Sequence, residues 1–263
     1  MRDIDSYTEK YINDDFGIKY MVKYRRKKVL EIMQNHSPKN ILEIGCGLQP
    51  IFNFYSDFNF YTIIEPSKSF AENAIEMSKN IIENNNGGGG TINIVNGFFE
   101  ERYNELQQKH FDFILCSGLL HEVENPKKLL SAIFSVADKD SIIHINVPNA
   151  KSFHRLLALE SGLISSLKEF SDRNKMMQQH SVFDLEDLKN LIVEIAFKNQ
   201  NEVEFLDSGS YFLKPFTHSQ MAACLSNRIF GEQVLEGFYK IVKYMPELGC
   251  EIYVNFKLKD IGG

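Results

Sequence analysis

Residues 41–50 read Ile-Leu-Glu-Ile-Gly-Cys-Gly-Leu-Gln-Pro. A short apolar run closed by two glycines and a proline reads as a buried strand entering a tight turn. Such a turn at the carboxyl end of a parallel strand lets a ligand approach the backbone closely, because no Cβ stands in the way. Glu43 sits two positions before the first glycine. A phosphate cradle is a poor home for a carboxylate, whereas a cationic ligand bearing an amino-acid group suits one.

The remaining chain shows the alternation that a parallel sheet needs. Residues 7–34 read as a helix with Ile18, Met21, Val22, Val29 and Met33 on one stripe. Ser37-Pro38 breaks it. Strands are expected at 40–44, 61–65, 91–95, 111–116, 141–147, 202–206 and 250–258. Helices are expected at 68–83, with Ser67 as N-cap, and at 126–137 and 185–197. The stretch from Asn84 to Gly90 carries four consecutive glycines and reads as a flexible surface loop. Residues 150–180 and 218–244 are helical in pattern and interrupt the rhythm. These features predict an α/β, doubly wound, mostly parallel seven-stranded sheet. An N-terminal helical segment, 1–36, precedes a domain at 37–263 with lid insertions at about 150–181 and 209–246.

The formal net charge is −6, and the longest basic run is Arg25-Arg26-Lys27-Lys28. That balance disfavours nucleic acid as a partner. The four cysteines (Cys46, Cys116, Cys224, Cys250) are far apart and form no Cys-x-x-Cys. They read as reduced thiols of a cytoplasmic protein, with neither disulfide framework nor zinc site. The N-terminus lacks a signal peptide's apolar core, and no apolar run reaches the roughly 18 residues of a membrane span.

Glu65 lies 22 residues after Glu43, at a strand end. An acid at that spacing accepts hydrogen bonds from ribose hydroxyls in dinucleotide folds. A nicotinamide fold would want a third glycine where Pro50 stands, and proline has no N–H to offer a pyrophosphate. Glu43-Ile44-Gly45-Cys46-Gly47, Glu65, Phe111-Asp112-Phe113-Ile114-Leu115 and Leu119-Leu120-His121-Glu122-Val123-Glu124-Asn125-Pro126, in that order, resemble the class I S-adenosylmethionine-dependent methyltransferases. The resemblance is strongest over 41–148. Cys250-Glu251-Ile252-Tyr253-Val254 looks like the antiparallel last strand of that Rossmann-like fold.

The resemblance implies S-adenosylmethionine as cofactor. Gly45, Cys46 and Gly47 would face its methionine portion, with Glu43 near the amino group. Glu65 would bind both ribose hydroxyls, flanked by Pro66 and Ser67. Gly97, Phe98 and Phe99 would border adenine, and Ser117 and Gly118 would lie along the methionine chain. Two departures stand out. Gln49 replaces a third glycine, and Phe98 stands where the family often has an Asp that reads the adenine amino group.

Methyl transfer mainly requires alignment and exclusion of water, and a hydroxyl acceptor benefits from a base. His121, following the fourth strand, and His180, at the end of the first insertion, are the candidate catalytic residues. Arg25, His154, Arg155 and Lys214 are candidate substrate-binding residues, although a solvated face competes for Arg25 and His154. Tyr7, Tyr11, Tyr20 and Tyr24 are placed to close over the cofactor. His144 reads as a satisfied interior histidine. Adjacent His121 and Glu122 would diverge, so no metal is expected.

A small polar acceptor follows, with O-methylation of a sugar of a bacterial surface (capsular) polysaccharide as the specific expectation. Its basis is associational: four glycine codons at 87–90 in an AT-rich composition resemble the slipping G tracts of surface-carbohydrate genes. The alternatives are an RNA methyltransferase, a non-catalytic cofactor-binding protein and a nicotinamide-dependent oxidoreductase. Oligomeric state is not legible.

Overall fold

The computed structural model describes residues 3–14, 16–84 and 90–260. Most of the loop expected at 84–90 lies outside the described residues. Seven strands form one sheet: β1 (Asn40–Ile44), β2 (Phe60–Glu65), β3 (Thr91–Asn96), β4 (Phe113–Ser117), β5 (Ile142–Pro148), β6 (Asn201–Tyr211) and β7 (Glu251–Asp260). Their order is β3-β2-β1-β4-β5-β7-β6. The first five run parallel, and β7 inserts antiparallel between β5 and β6. The expected Rossmann-like fold is therefore present. The strand order reverses at β1 and β4, whose carboxyl ends open the crevice where such sheets bind ligands.

Alternation along the strands builds two cores. Leu42, Ile44, Ile114 and Ile143 face α5 (Pro126–Val136) and α8 (Leu185–Lys198). Ile41, Ile63, Phe113 and Leu115 face the opposite layer, which includes α2 (Val22–His36). Full burial of such a side chain contributes about 1.5–3 kcal/mol. The acids at the strand ends, Glu43 and Glu65, are thus held by rigid neighbours rather than by loops.

The helix expected over 7–34 is divided. α1 (Ile4–Ile12) stops, and a π-helical turn, Gly17–Met21, leads into α2. Polar side chains compete with the backbone at the break. Asn13 Nδ2 donates to the Glu9 carbonyl at 3.0 Å, and Asp14 accepts the Gly17 N–H at 2.9 Å. α3 (Lys68–Asn84) starts where expected, the Ser67 hydroxyl accepting the Phe70 N–H at 3.5 Å. β6 runs five residues beyond its expected end, across an irregularity between Phe205 and Asp207. The first insertion carries α6 (Phe153–Glu160) and α7 (Asp172–Met176); the second carries α9 (His218–Ser226) and α10 (Glu232–Lys240). Among the described residues no helix is long and apolar enough to cross a membrane.

α1 contains no buried residue, whereas α2 buries Tyr24, Val29, Ile32 and Met33. Amide hydrogens of α1 are expected to exchange much faster than those of α2. Hydrogen-exchange mass spectrometry checks this, and equal protection of the two helices would contradict it.

Candidate functional site

The turn after β1 sets Gly45 and Gly47 at φ +75° and +57°, where glycine alone is unstrained. A Cβ on Gly47 would stand 3.4 Å from the Tyr11 hydroxyl. Glu65 draws the turn towards β2: Oε2 accepts the Cys46 and Gly47 N–H groups at 2.8 and 3.2 Å, and Oε1 the Ser67 N–H at 2.8 Å. Burial raises the Glu65 pKa against these three donors. Glu43 Oε2 accepts the Tyr61 hydroxyl at 2.8 Å and the Ile51 N–H at 3.2 Å. Burial pushes the Glu43 carboxyl up to about 8 despite those donors.

Glu43, Gly45, Cys46, Gly47, Gln49, Glu65, Pro66, Ser67, Ser117 and Gly118 line one crevice, as expected from the sequence. Gln49 is exposed at its mouth and accepts from Arg26 Nη1 at 2.5 Å. The Ser117 hydroxyl accepts from Asn146 Nδ2 at 2.8 Å. A Cβ on Gly118 would fall 2.5 Å from Arg25 Nη1, so the bare backbone makes room for that guanidinium. An apolar recess continues past Gly45 and Pro66, walled by Ile44, Ile64, Phe98, Phe99 and Val123. Gly97 does not line it. Its N–H donates to the Glu65 carbonyl at 3.0 Å, which makes the position structural.

A second cavity lies behind the crevice and shares Tyr7, Tyr11, Arg25, Gly118 and Glu122 with it. Arg25 belongs to no solvated face. Its Nε and Nη2 donate to the two carboxylate oxygens of Glu251 at 2.8 and 2.5 Å, and the Tyr211 hydroxyl donates to the same carboxylate. Tyr7 donates to Glu122 at 3.3 Å, and burial lifts the Tyr11 phenol to about 12. Tyr20 and Tyr24 are core residues instead, Tyr24 stacking on Phe212 at 4.4 Å.

His121 is buried on the wall of this cavity. Contrary to expectation it does not diverge from Glu122: Nε2 and Oε1 approach to 3.7 Å. His180 is exposed and lies outside both walls, because its N–H is drawn to the His121 carbonyl at 2.9 Å while Gln179 lines the cavity. His154 faces the cavity rather than solvent, and burial, with the Lys214 and Arg155 cations, holds its pKa well below the usual range. Arg155 reaches the wall but spends Nη2 on the Leu167 and Glu169 carbonyls at 2.8 and 2.7 Å. Lys214 is buried in the wall, and burial lowers its pKa to about 8. His144 is an interior histidine, its Nδ1 2.7 Å from Asn255 Oδ1.

Three cavity residues carried no usable sequence signal. Asp14 pairs with Arg173, and its Oδ1 lies 3.3 Å from His218 Nδ1. Burial opposes ionisation of Asp14, but the His218 hydrogen bond and the Arg173 cation prevail and hold it well below the usual range. Burial and the Lys214 cation push His218 down to about 3. Glu251 did carry a signal, since a lone acid opening an apolar strand requires a partner. Among the described residues no three His, Cys, Asp or Glu side chains gather as a metal site would require.

Residues 18–202, more than half of the chain, match the family described as a methyltransferase domain. No curated protein matches the sequence. Among solved structures, the plantazolicin methyltransferase BamL, in complex with a triazolic desmethylPZN analog and SAH, superposes with TM-score 0.59 at 16% identity, over 95% of this chain and 90% of that one. The N-methyltransferase NodS from Bradyrhizobium japonicum WM9, in complex with S-adenosyl-L-homocysteine, gives 0.52 at 10% identity, over 89% and 86%. The small RNA methyltransferase HEN1 gives 0.60 at 13% identity, over 91% of this chain but 25% of its own. Likeness at these identities is likeness of fold.

The raised Glu43 pKa has a sign that can be checked. The folded protein keeps Glu43 protonated from its ordinary value of 4.5 up to about 8, while the unfolded chain ionises it. Its contribution to stability is complete below 4.5 and falls as pH rises towards about 8. Glu43→Gln should flatten that part of the stability–pH curve, measured by urea unfolding at several pH values; an unchanged slope would contradict the assignment.

Proposed function

This chain belongs to the methyltransferase-domain family, and we propose that it transfers a methyl group from S-adenosylmethionine to a small polar acceptor held in the second cavity. The observation that carries the reading is the join between crevice and cavity at Tyr11, Arg25, Gly118 and Glu122. The crevice residues fit the cofactor. Gly45, Gly47 and Gly118 leave the space a Cβ would take, and Glu65 stands beside the turn with a carboxylate that ribose hydroxyls can address. Glu43 offers a buried carboxyl whose ionisation an incoming cationic amino group would favour, and the apolar recess at Phe98 suits a purine.

When bound, S-adenosylmethionine supplies a methyl group made electrophilic by its sulfonium. The chain's part is to align an acceptor and exclude water. Tyr7 and Tyr11 of α1 cover the crevice, and the insertions wall the cavity. We assign residues 37–263 to the catalytic unit, the insertions at about 150–181 and 209–246 to lids, and 1–36 to the wall between cofactor and acceptor. His121 is our candidate base, taking a proton from an acceptor hydroxyl. His180 is not carried forward. A saccharide is one acceptor of the required kind, favoured by the Gln179 amide and the His154 ring on the wall. The acidic net charge disfavours RNA.

Calorimetry with S-adenosylhomocysteine tests the donor. Wild type should bind, and Gly45→Arg should lose binding while remaining folded by circular dichroism. No binding to folded wild type, or full binding by the variant, would overturn the reading. With a methyl-labelled donor and a responsive acceptor, His121→Gln should lower kcat by at least about 100-fold. S-adenosylhomocysteine affinity should stay within a few-fold. An undiminished kcat removes His121 as the base.

A further inference from the structure

Among the described residues, the second cavity contains two matched ion pairs and a cation, Lys214, that neither pair answers. Arg25 answers Glu251, and Arg173 answers Asp14. Lys214 lines the same cavity at 5% exposure and makes no hydrogen bond or ion pair with any described residue. A buried ammonium group without a counter-charge is costly, and an apolar side chain of similar length would avoid that cost.

Local backbone fixes where this cation points. Phe212, two residues earlier, is held at φ +54°, an unfavourable conformation for a bulky residue. Its ring is stacked on Tyr24, and its carbonyl accepts the Cys250 N–H at 2.9 Å. Pro215 then restricts Lys214 to extended backbone. The lysine therefore enters the cavity from a rigid stalk. Arg155 adds a second donor on the same wall: its Nε–H is buried and has no partner among the described residues. His154 lies within the electrostatic reach of both cations.

We propose that the methyl acceptor carries an anionic group, a carboxylate or a phosphate, which pairs with Lys214 on the side of the cavity away from the cofactor crevice. The proposal rests on reading this cavity as the acceptor site. The other charged or titratable groups facing Lys214 are Asp14, Arg173, Glu251, Cys250, His154 and His218. Both acids are committed to arginines, and both histidines are held neutral by burial near neutral pH. The incoming anion is the missing counter-charge.

The full chain, saturated with S-adenosylhomocysteine, is titrated separately with sodium acetate and with inorganic phosphate, followed by NMR shift changes. At least one should bind saturably, and which one does separates carboxylate from phosphate. Lys214→Met should weaken that binding by at least about tenfold, and Lys214→Arg should keep it within a few-fold. S-adenosylhomocysteine affinity should stay within about twofold in both variants. Wild-type affinity for acetate should also fall as pH rises through about 8, where Lys214 loses its proton, and Lys214→Arg should not show that fall. Absence of saturable binding by either anion, or equal binding by Lys214→Met, would overturn the proposal. Failure of folded protein to bind S-adenosylhomocysteine counts against the methyltransferase reading instead, and the anion titrations are then read on the protein alone.

Discussion

A half-buried guanidinium and a buried carboxylate tie the two ends of the described chain together. Arg25 on α2 and Glu251 at the start of β7 meet through two parallel hydrogen bonds, with Tyr211 completing the carboxylate's shell. Removing one partner of such a pair leaves an uncompensated charge and typically costs about 3–5 kcal/mol. The pair is also a partition. Arg25 lies against the backbone of Gly118 and borders both the crevice and the cavity behind it. The antiparallel insertion of β7 between β5 and β6 places Glu251 at the right edge to receive it.

Asp14 performs a similar service for the outer wall. It sits in the break between α1 and the π-helical turn, and it gathers Arg173 from the first insertion and His218 from the second. Three segments far apart in sequence thereby close over one cavity. The break itself follows from local chemistry, since Asn13 and Asp14 bind neighbouring backbone groups that a continuous helix would use.

Strand positions and the crevice residues were legible because each depends on local pattern. Alternating apolar residues reveal strands, and glycines with an acid at a strand end reveal a ligand turn. The wall of the second cavity was legible only in part, through His121, His154, Arg155 and Lys214. Asp14, Arg173 and His218 matter only through contacts that span 159 and 204 residues of sequence. His180 illustrates the reverse error: a Gln-His pair marks the segment but not which side chain turns inward. Here the backbone bond from His180 to His121 leaves Gln179 facing the cavity. For Arg25 the neighbours Arg26, Lys27 and Lys28 keep a solvated face in competition with a binding role, since a basic run looks solvated unless its helical face is known. Glu251 shows what was available, because an acid inside an apolar strand calls for a cation somewhere in the chain.

The covering helix α1 is fastened mainly by polar links: Asp3 to Gln178, Thr8 to Ser67 and Tyr7 to Glu122. Each such bond contributes only about 0.5–1.5 kcal/mol net. Tyr11 meanwhile lies against Gly47, over the floor of the crevice. α1 buries no residue of its own, so releasing it from those links would open the crevice while leaving both cores packed.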